Sequence, residues 1–292
     1  MKIPFTKMHG TGNDFIFINC LTLDLPNPAA FSVKYCHRRF GIGADQVLLL
    51  YPSKTADFRM KIFNADGSEV EMCGNGIRCL AKYIWDRHLS GKQIIDVETL
   101  AGIMRPERSG NDVRVDMGEP ILDPQQIPVN IQSSAMPLDY PLRIGGRDFN
   151  LTFVSMGNPH AVIFLDDSVS DFQIERYGRE IEMHPLFPKR TNVEFVNAMG
   201  RNELIMRVWE RGSGETLACG TGACAAGVAA MLKGLTERRV TIKLLGGNLS
   251  IEWNENNHVY MTGPRLRYSK VLYETHSGKR ITTNLIIPRE LL

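Results

Sequence analysis

One arrangement of residues occurs twice in this chain, and it limits the possible folds more than any other feature. The stretches "EMCGNGIRC" around Cys73 and "LACGTGAC" around Cys219 both place a cysteine directly before Gly-x-Gly, with the two cysteines 146 positions apart. At the same offset, residues 58–63 ("FRMKIF") meet residues 204–209 ("LIMRVW") with their apolar side chains in the same phase. Such alternation indicates a half-buried strand. The cysteine motif therefore belongs to a larger repeated unit.

The repeat extends over most of the 292 residues. Asn13 meets Asn158 after one residue of slippage, and the matches keep one order and nearly one offset. Two copies indicate an internal duplication and not a solenoid array. We therefore predict an α+β fold with two pseudo-symmetric domains. The predicted domains are 1–118 and 119–265. The second begins with a proline-containing stretch that is predicted to be partly a linker, and the tail 266–292 is predicted to pack back on the first domain.

A helix is predicted directly after each cysteine. Apolar residues recur at helical spacing in both copies, namely Ile77, Leu80, Ala81 and Ile84 in the first and Ala223, Ala226, Ala230 and Met231 in the second. The helices are predicted to end near Gly91 and Gly234, because glycine is frequent just past a helix. Glu69 and Glu215, four residues before the cysteines, suit helix-entry capping.

A cysteine at a helix N-terminus is expected to have a lowered pKa. Free N–H groups and a partial positive charge at that end favour a thiolate. The same N–H groups can hold a carboxylate, and the Gly-x-Gly lets a ligand approach the backbone. Each copy of the motif therefore provides a thiol and a cradle for an anion.

Two such thiols suit the inversion of a stereocentre. If the domains bring Cys73 and Cys219 to opposite faces of an α-carbon, one thiolate removes the proton and the other thiol delivers one. The helix N-termini would stabilise the charge that develops on the carboxylate. This scheme requires neither a metal nor an imine-forming cofactor, so we expect none.

The two copies differ around their cysteines. Asn64 aligns with Glu210, Phe15 with His160, and an alanine with Arg211. Arg211 suits a bidentate contact with a second carboxylate. His160 and Glu210 are candidates to orient the thiols or to exchange protons with them. The differences predict that the substrate has two chemically distinct ends.

Composition and charge narrow the class of protein. The net charge is +2 without a basic run, which gives no support for nucleic-acid binding. No stretch of about 18 apolar residues predicts a membrane span, and the N-terminus makes a poor secretory signal. Six cysteines are too few for a disulfide scaffold, so we expect a cytoplasmic protein. The cysteines outside the Gly-x-Gly motifs are interpreted as core residues, namely Cys20, Cys36, Cys79 and Cys224.

Other uses of the cysteine motifs have weaker support. The pairs Cys73–Cys79 and Cys219–Cys224 are separated by five and four residues, whereas zinc-binding pairs commonly have two to four between them. "GTGACA" fits a dinucleotide fingerprint but does not directly follow a strand. A disulfide between Cys73 and Cys219 is a hypothesis for oxidative inactivation.

Five stretches resemble the diaminopimelate epimerase family: "MHGTGNDF", "FNADGSEVEMCGNGIRC", "MGNPHAV", "EMHPLFPKRTNVEFV" and "ERGSGETLACGTGACA". The resemblance implies a pyridoxal-phosphate-independent isomerase that interconverts LL- and meso-2,6-diaminopimelate, a step in lysine and cell-wall precursor synthesis. It also implies that each domain is a mostly antiparallel sheet curled around a helix. Enzymes of this family commonly form homodimers.

The resemblance also implies residue roles. Cys73 and Cys219 would be the acid/base pair, assisted by His160 and Glu210. The reacting α-carboxylate would be held by Gly74, Asn75, Gly220 and Thr221. The rest of the substrate would be held by Asn13, Asn64, Asn158, Asn192, Glu210 and Arg211, with Gln46 in the pocket. A racemase of proline, hydroxyproline or histidine is the alternative, but those substrates lack a second amino-acid end.

Overall fold

A computed structural model of the protein describes residues 2–131 and 138–263 and the backbone of 268–274. Backbone contacts divide the chain into two compact units, Met1–Val113 with Arg265–Leu292 and Arg114–Pro264. The domain limits predicted from the repeat, 118 and 265, stay a prediction. Most of the tail lies outside the described residues, but its strand Tyr268–Glu274 pairs with Lys2–Gly10.

The helices and strands of the described ranges follow one another in the same way in both halves. The first half contains β1 (Lys2–Gly10), β2 (Asn13–Asn19), α1 (Pro28–Tyr35), β3 (Gln46–Tyr51), β4 (Phe58–Asn64), β5 (Glu69–Val70), α2 (Gly74–Asp86), β6 (Val97–Thr99), β7 (Gly102–Met104) and β8 (Pro106–Ser109). The second half contains β9 (Asp112–Asp116), β10 (Tyr140–Ile144), β11 (Arg147–Ser155), β12 (Pro159–Phe164), α3 (Ile174–Glu182), β13 (Asn192–Gly200), β14 (Glu203–Glu210), β15 (Gly214–Thr216), α4 (Gly220–Leu232), β16 (Arg239–Leu244), β17 (Gly247–Trp253) and β18 (Val259–Gly263). The last described strand is β19 (Tyr268–Glu274).

The two sheets share the order of their central strands. The first has the order β19-β1-β2-β3-β4-β6-β7, with β5 beside β4. The second has the order β10-β11-β12-β13-β14-β16-β17-β18, with β15 beside β14, and continues into β9 and β8. In each, the second and third repeat strands pair in parallel (β2 with β3, β12 with β13), and so do β4 with β6 and β14 with β16. The equivalent order and pairing confirm a duplicated, mostly antiparallel α+β fold.

The strands predicted before the cysteines are confirmed. In β4, Phe58, Met60 and Ile62 are buried and alternate with partly exposed residues. The equivalent side of β14 buries its own three apolar residues, Leu204, Met206 and Val208. The alternation places one face of each strand in a core because successive side chains point to opposite faces of a sheet.

Glu69 and Glu215 do not cap the helices, so that prediction is wrong. Glu69 lies on β5 and pairs with Lys61 of β4, with 3.3 Å between the charged atoms. Glu215 lies on β15 and forms two hydrogen bonds with Arg207 of β14, at 2.7 and 3.0 Å. The short extra strand in each half turns the carboxylate towards a cross-strand cation, and such pairs stabilise a sheet.

A helix lies against the sheet of each half. In α4, all residues from Ala223 to Ala230 are buried, and the helix packs against β11, β12, β13, β16, β17 and β18. Contact with so many strands means that the sheet curls around the helix. Small side chains permit the close approach: a Cβ on Gly227 would lie 2.9 Å from Ile251 Cγ2. Within the described residues, no helix is long and apolar enough to cross a membrane.

The predicted helix end is right in one half and wrong in the other. Helix α4 ends at Leu232, and Gly234 adopts φ +68 while the Leu235 N–H donates to the Ala230 carbonyl at 2.9 Å. Helix α2 ends at Asp86, well before Gly91. There, His88 takes the left-handed conformation (φ 53) that glycine usually supplies.

The segment after the first domain is less linker-like than predicted. Ile127 is fully buried and Val129 is 8% exposed, and both belong to the core of the second half. Ile121 exchanges two backbone hydrogen bonds of 2.9 Å with Ser155. The prolines of this segment are unfavourable in helices and central strands, but they do not prevent its apolar side chains from packing in the core. Residues 132–137 of this segment lie outside the described ranges.

Candidate active site

Cys73 lies at the start of α2, as predicted. It has an extended backbone (φ −138, ψ 118), and its carbonyl accepts the first helical hydrogen bond from the Ile77 N–H at 2.9 Å. The side chain is half-buried. Asn13 Nδ2 donates to Cys73 Sγ at 3.7 Å. The sulfur therefore has an amide donor beside it in addition to the helix N-terminus.

Two amide oxygens of the first unit are buried without a hydrogen-bond partner among the described residues, Asn13 Oδ1 and Gln46 Oε1. The other end of Gln46 donates to Asn64 Oδ1 at 2.8 Å, and Asn64 Nδ2 donates to Ser68 Oγ at 3.0 Å. Buried acceptors are costly when left unpaired. These two oxygens are suited to a ligand that carries N–H donors.

Asn75 uses its side chain inside the protein. Its Oδ1 accepts from Thr11 Oγ1 at 2.9 Å and from the Arg78 guanidinium at 2.8 Å. Arg78 is fully buried and also donates to the Gly74 carbonyl at 3.3 Å. The carboxylate contact predicted for Asn75 would therefore use its backbone N–H, in the first turn of α2.

Cys219 lies at the start of α4, in the equivalent position. Its carbonyl accepts from the Ala223 N–H at 2.9 Å, and its Sγ is 3.4 Å from Thr221 Oγ1. The side chain is only 7% exposed. Burial, Glu210 and Glu194 raise the pKa of this thiol well above its ordinary value. The predicted lowering of the pKa is thus wrong for Cys219, because loss of solvent and two carboxyl groups outweigh the helix N-terminus.

Glu210 is one of the two carboxyl groups near Cys219. Burial raises its pKa, while a hydrogen bond from the Thr216 hydroxyl and another with Cys219 act in the opposite direction. The repeat places Asn64 at the equivalent position of the first unit. A carboxyl group in one half therefore corresponds to an amide in the other.

The second carboxyl group, Glu194, forms a fully buried pair with His160. His160 Nδ1 lies 2.7 Å from Glu194 Oε1, and both side chains have no exposed area. His160 Nε2 lies 3.0 Å from Asn158 Oδ1, and Asn158 Nδ2 donates to Thr221 Oγ1 at 3.3 Å. Glu194 is not among the residues predicted from the sequence. The repeat contained a signal, since a charged residue aligns there with Leu48.

Asn192 and Arg211 are neighbours, and both polar atoms of the Asn192 side chain form hydrogen bonds with backbone groups. Its Nδ2 donates to the Pro159 carbonyl at 2.9 Å, and its Oδ1 accepts from the Arg211 N–H at 2.9 Å. The Arg211 side chain is exposed and donates to the Lys189 carbonyl at 3.2 Å. In this arrangement Asn192 fixes the loop that carries Arg211.

The predicted site residues gather at matching places in the two units. In the first unit, Gln46 pairs with Asn64 in the register of β3 and β4, and Asn13 contacts Cys73 directly before α2. In the second unit, His160 pairs with Asn192 in the register of β12 and β13, and Asn158 contacts the first turn of α4. Strand ends, the loop residues next to them and a helix N-terminus therefore carry the candidates in both halves. A further buried carboxyl group, Glu182, accepts from Trp209 Nε1 and the Gly212 N–H at 2.8 Å and was not predicted.

Proteins of known structure share the fold of this chain. A PhzF-family phenazine biosynthesis protein of Bacillus anthracis has a TM-score of 0.67 at 13% identity, covering 92% of this chain and 97% of its own. A hydroxyproline epimerase of Agrobacterium vitis has a TM-score of 0.63 at 13% identity, covering 91% and 92%. At such low identity the similarity defines the fold alone.

The sequence defines the family. The family model for diaminopimelate epimerase matches residues 5–122 and 152–267. A diaminopimelate epimerase of Acetivibrio thermocellus is 55% identical over 269 residues, covering 90% of this chain and 95% of the relative. One from Methanococcus maripaludis is 49% identical over 268 residues, covering 90% and 96%. The chain belongs to the diaminopimelate epimerase family.

Proposed function

We propose that this protein is an isomerase that epimerises LL-2,6-diaminopimelate to meso-2,6-diaminopimelate, in lysine and peptidoglycan precursor biosynthesis. One observation carries the proposal: the family match spans both copies of the repeat and includes both cysteine motifs. The relatives named above cover nearly the whole chain at about half identity or more.

In the proposed mechanism, Cys73 and Cys219 act on opposite faces of the substrate's α-carbon. The thiolate of one accepts the α-hydrogen as a proton, so that a C–H bond breaks and an S–H bond forms. The thiol of the other gives its proton to the opposite face, and the configuration is inverted. The N–H groups at the starts of α2 and α4 would hold the α-carboxylate, through Gly74, Asn75, Gly220 and Thr221.

The remaining contacts would distinguish the two ends of diaminopimelate. Asn13 Oδ1 and Gln46 Oε1 are buried acceptors without partners among the described residues, which suits an ammonium group. The exposed guanidinium of Arg211 suits the distal carboxylate, and Asn192 holds its loop in place. Asn64, Asn158 and Glu210 complete the proposed binding set. Proline, hydroxyproline and histidine have no second amino-acid end for these groups.

Turnover of LL-diaminopimelate in deuterated water, without added cofactor, tests the reaction. We expect formation of the meso isomer with solvent deuterium at the α-carbon. Cys73→Ala and Cys219→Ala should each reduce the rate by about 10²–10⁴-fold, because each removes one acid/base group. Cys20→Ala, in the core of the first unit, is the control that should keep activity. Near-normal rates in either thiol variant would contradict the two-thiol mechanism.

A panel of amino acids tests the substrate. Racemisation of proline or histidine without turnover of LL-diaminopimelate would exclude the proposed substrate. Arg211→Ala should raise KM for diaminopimelate while both thiols still react with an alkylating reagent.

We also propose that the protein forms a homodimer and is located in the cytoplasm. The family resemblance supports a homodimer that acts on a small molecule in the cytoplasm. Analytical ultracentrifugation at several protein concentrations would test the dimer, and fractionation of the cells would test the compartment. A single species of monomer mass at all concentrations would contradict the proposed assembly.

A further inference from the structure

A continuous line of hydrogen bonds connects Glu194 to Cys219 within the second unit. It runs from Glu194 Oε1 to His160 (2.7 Å), on to Asn158 (3.0 Å), then to Thr221 (3.3 Å), and ends at Cys219 Sγ (3.4 Å). Glu194 and His160 are fully buried, so water does not compete for these bonds. What the line does to the sulfur depends on its direction, that is, on which atom of each contact donates.

The Asn158 amide decides the direction. Its Oδ1 lies 3.0 Å from His160 Nε2, and an amide oxygen can only accept, so Nε2 carries hydrogen and donates. Glu194 Oε1 lies 2.7 Å from the other ring nitrogen, Nδ1, and holds the buried ring in this orientation.

The rest of the direction follows from the geometry. Because Asn158 Oδ1 accepts from His160, its Nδ2 faces Thr221 Oγ1 and donates to it. The Thr221 hydroxyl hydrogen is then available for the sulfur. Every donor points towards Cys219, which stabilises its thiolate form. If His160 carried hydrogen on Nδ1 only, the amide would turn round, and Thr221 would donate to Asn158 instead.

We propose that Glu194 is a positioning residue for Cys219: it holds the imidazole ring of His160 through Nδ1 and thereby directs the Thr221 hydroxyl to the sulfur. The inference rests on the proposed function, in which Cys219 is a thiolate either before or after each epimerisation. The direction of the line lowers the cost of that thiolate inside a buried, acidic environment.

The first unit shows that the fold itself does not require this carboxyl group. Leu48 occupies the position equivalent to Glu194, and Phe15 the position equivalent to His160; both are fully buried. There, Asn13 donates to Cys73 Sγ without an intermediate. Near the start of α4, glycine makes room for the acid, since a Cβ on Gly222 would lie 2.6 Å from Glu194 Oε1. Leucine packs at the equivalent position of the first unit, so the shared fold does not call for a carboxyl group there.

Three variants test the inference by turnover of LL-diaminopimelate. Glu194→Leu should lower kcat by about 10- to 100-fold with KM changed by less than about threefold, because a hydrogen bond to a charged group is lost. Glu194→Gln is the conservative variant: its amide N–H can donate to Nδ1 and keep hydrogen on Nε2, so it should retain most of kcat. Thr221→Val removes the hydroxyl group that connects Asn158 to Cys219.

The combination of Glu194→Leu with Thr221→Val separates positioning from packing. The double variant should be no slower than the slower single variant if both act through one line. Multiplied effects of the two substitutions would overturn the proposal. Loss of kcat in Glu194→Gln equal to that in Glu194→Leu would also overturn it.

Nitrogen-15 NMR of the histidines gives a readout that does not depend on activity. His160 Nδ1 should show the chemical shift of a hydrogen-bonded nitrogen in the wild-type protein and in Glu194→Gln. It should show that of a nitrogen without a hydrogen bond in Glu194→Leu or, if that variant does not fold, in Glu194→Met. An unchanged Nδ1 signal in the folded apolar variant overturns the proposal. If the wild-type protein does not turn over diaminopimelate, the proposed function fails, while the NMR result still decides the role of Glu194.

Discussion

The two halves share a backbone frame but place their cysteines in different chemical surroundings. Cys73 is half-buried beside the amide of Asn13, whereas Cys219 is 7% exposed beside two carboxyl groups, Glu210 and Glu194. The strand order, the parallel pairs and the cysteine at the helix start are the same in both. Duplication has therefore preserved the position of each sulfur, while substitution of neighbouring side chains has changed its electrostatics.

A second contrast concerns the helix behind each cysteine. Helix α2 buries Arg78 completely, and the equivalent position of α4 is Cys224, which is also buried. The first unit thus buries a cation in the helix that follows Cys73, whereas in the second unit the carboxyl groups Glu210 and Glu194 act on Cys219. Surroundings of opposite charge favour unequal protonation of the two thiols. An acid/base pair requires such inequality, since one member starts as a thiolate and the other as a thiol.

The largest expected effect comes from exchanging the acid and the amide at equivalent positions. Glu210→Gln should shift the pH dependence of Cys219 alkylation to lower pH, because burial and then the Glu210 carboxylate hold the pKa of this thiol high. Asn64→Asp should move Cys73 in the opposite direction. The measurement is the rate of iodoacetamide modification of each cysteine peptide, followed by mass spectrometry.

Each cysteine is the internal control for the variant in the other half. An unchanged alkylation profile of Cys219 in Glu210→Gln would show that the carboxyl group does not distinguish the halves.

A smaller effect is expected from adding a methyl group to the equivalent glycines of the two helices. A Cβ at position 222 meets Glu194 Oε1 at 2.6 Å, whereas at position 76 the nearest atoms, of Cys73 and Ile62, lie at 3.4 Å. Gly222→Ala should reduce the free energy of unfolding by about 1–3 kcal/mol through overpacking. Gly76→Ala should change it far less, since alanine is also the better helix former. Urea denaturation measures both, and equal losses would contradict the contrast.

The smallest effects concern the ends of the two helices. His88 adopts φ 53 after α2, and Gly234 adopts φ 68 after α4. His88→Gly should raise the free energy of unfolding by about 0.5–1 kcal/mol, and Gly234→Ala should lower it by about 1 kcal/mol, because residues with a Cβ are strained in this conformation. Thermal and urea unfolding of the pair measure the two signs. The same sign in both variants would contradict the explanation.

Repetition made the fold and the candidate site predictable to a large extent. The offset of 146 positions identified both cysteines, and the alternation around Phe58 and Leu204 identified equivalent strands, which the structure confirms. The sequence pattern gave wrong predictions for residues that flank the two helices. Histidine instead of glycine ends α2 at His88, and Glu69 and Glu215 pair across strands instead of capping helices.

The electrostatics of the site were less accessible to sequence reasoning. The helix N-terminus predicts a lowered pKa for Cys219, but the structure raises it through burial and through Glu210 and Glu194. Glu194 lies 25 positions before its thiol in the chain and reaches it only through His160, Asn158 and Thr221. A pattern within one strand does not show such a connection, because its members come from three different elements.

The sequence by itself determined the duplicated α+β fold, the family, and the placement of Cys73 and Cys219 at the starts of equivalent helices. These features depend on local periodicity and on the repeat, and both can be read along the chain. Only the tertiary structure decided which side chains surround each sulfur, how deeply each is buried, and which hydrogen-bonded side chains connect Glu194 to Cys219. Solvation and charge depend on neighbours from distant parts of the chain, so they become defined only when the sheet has closed around its helix.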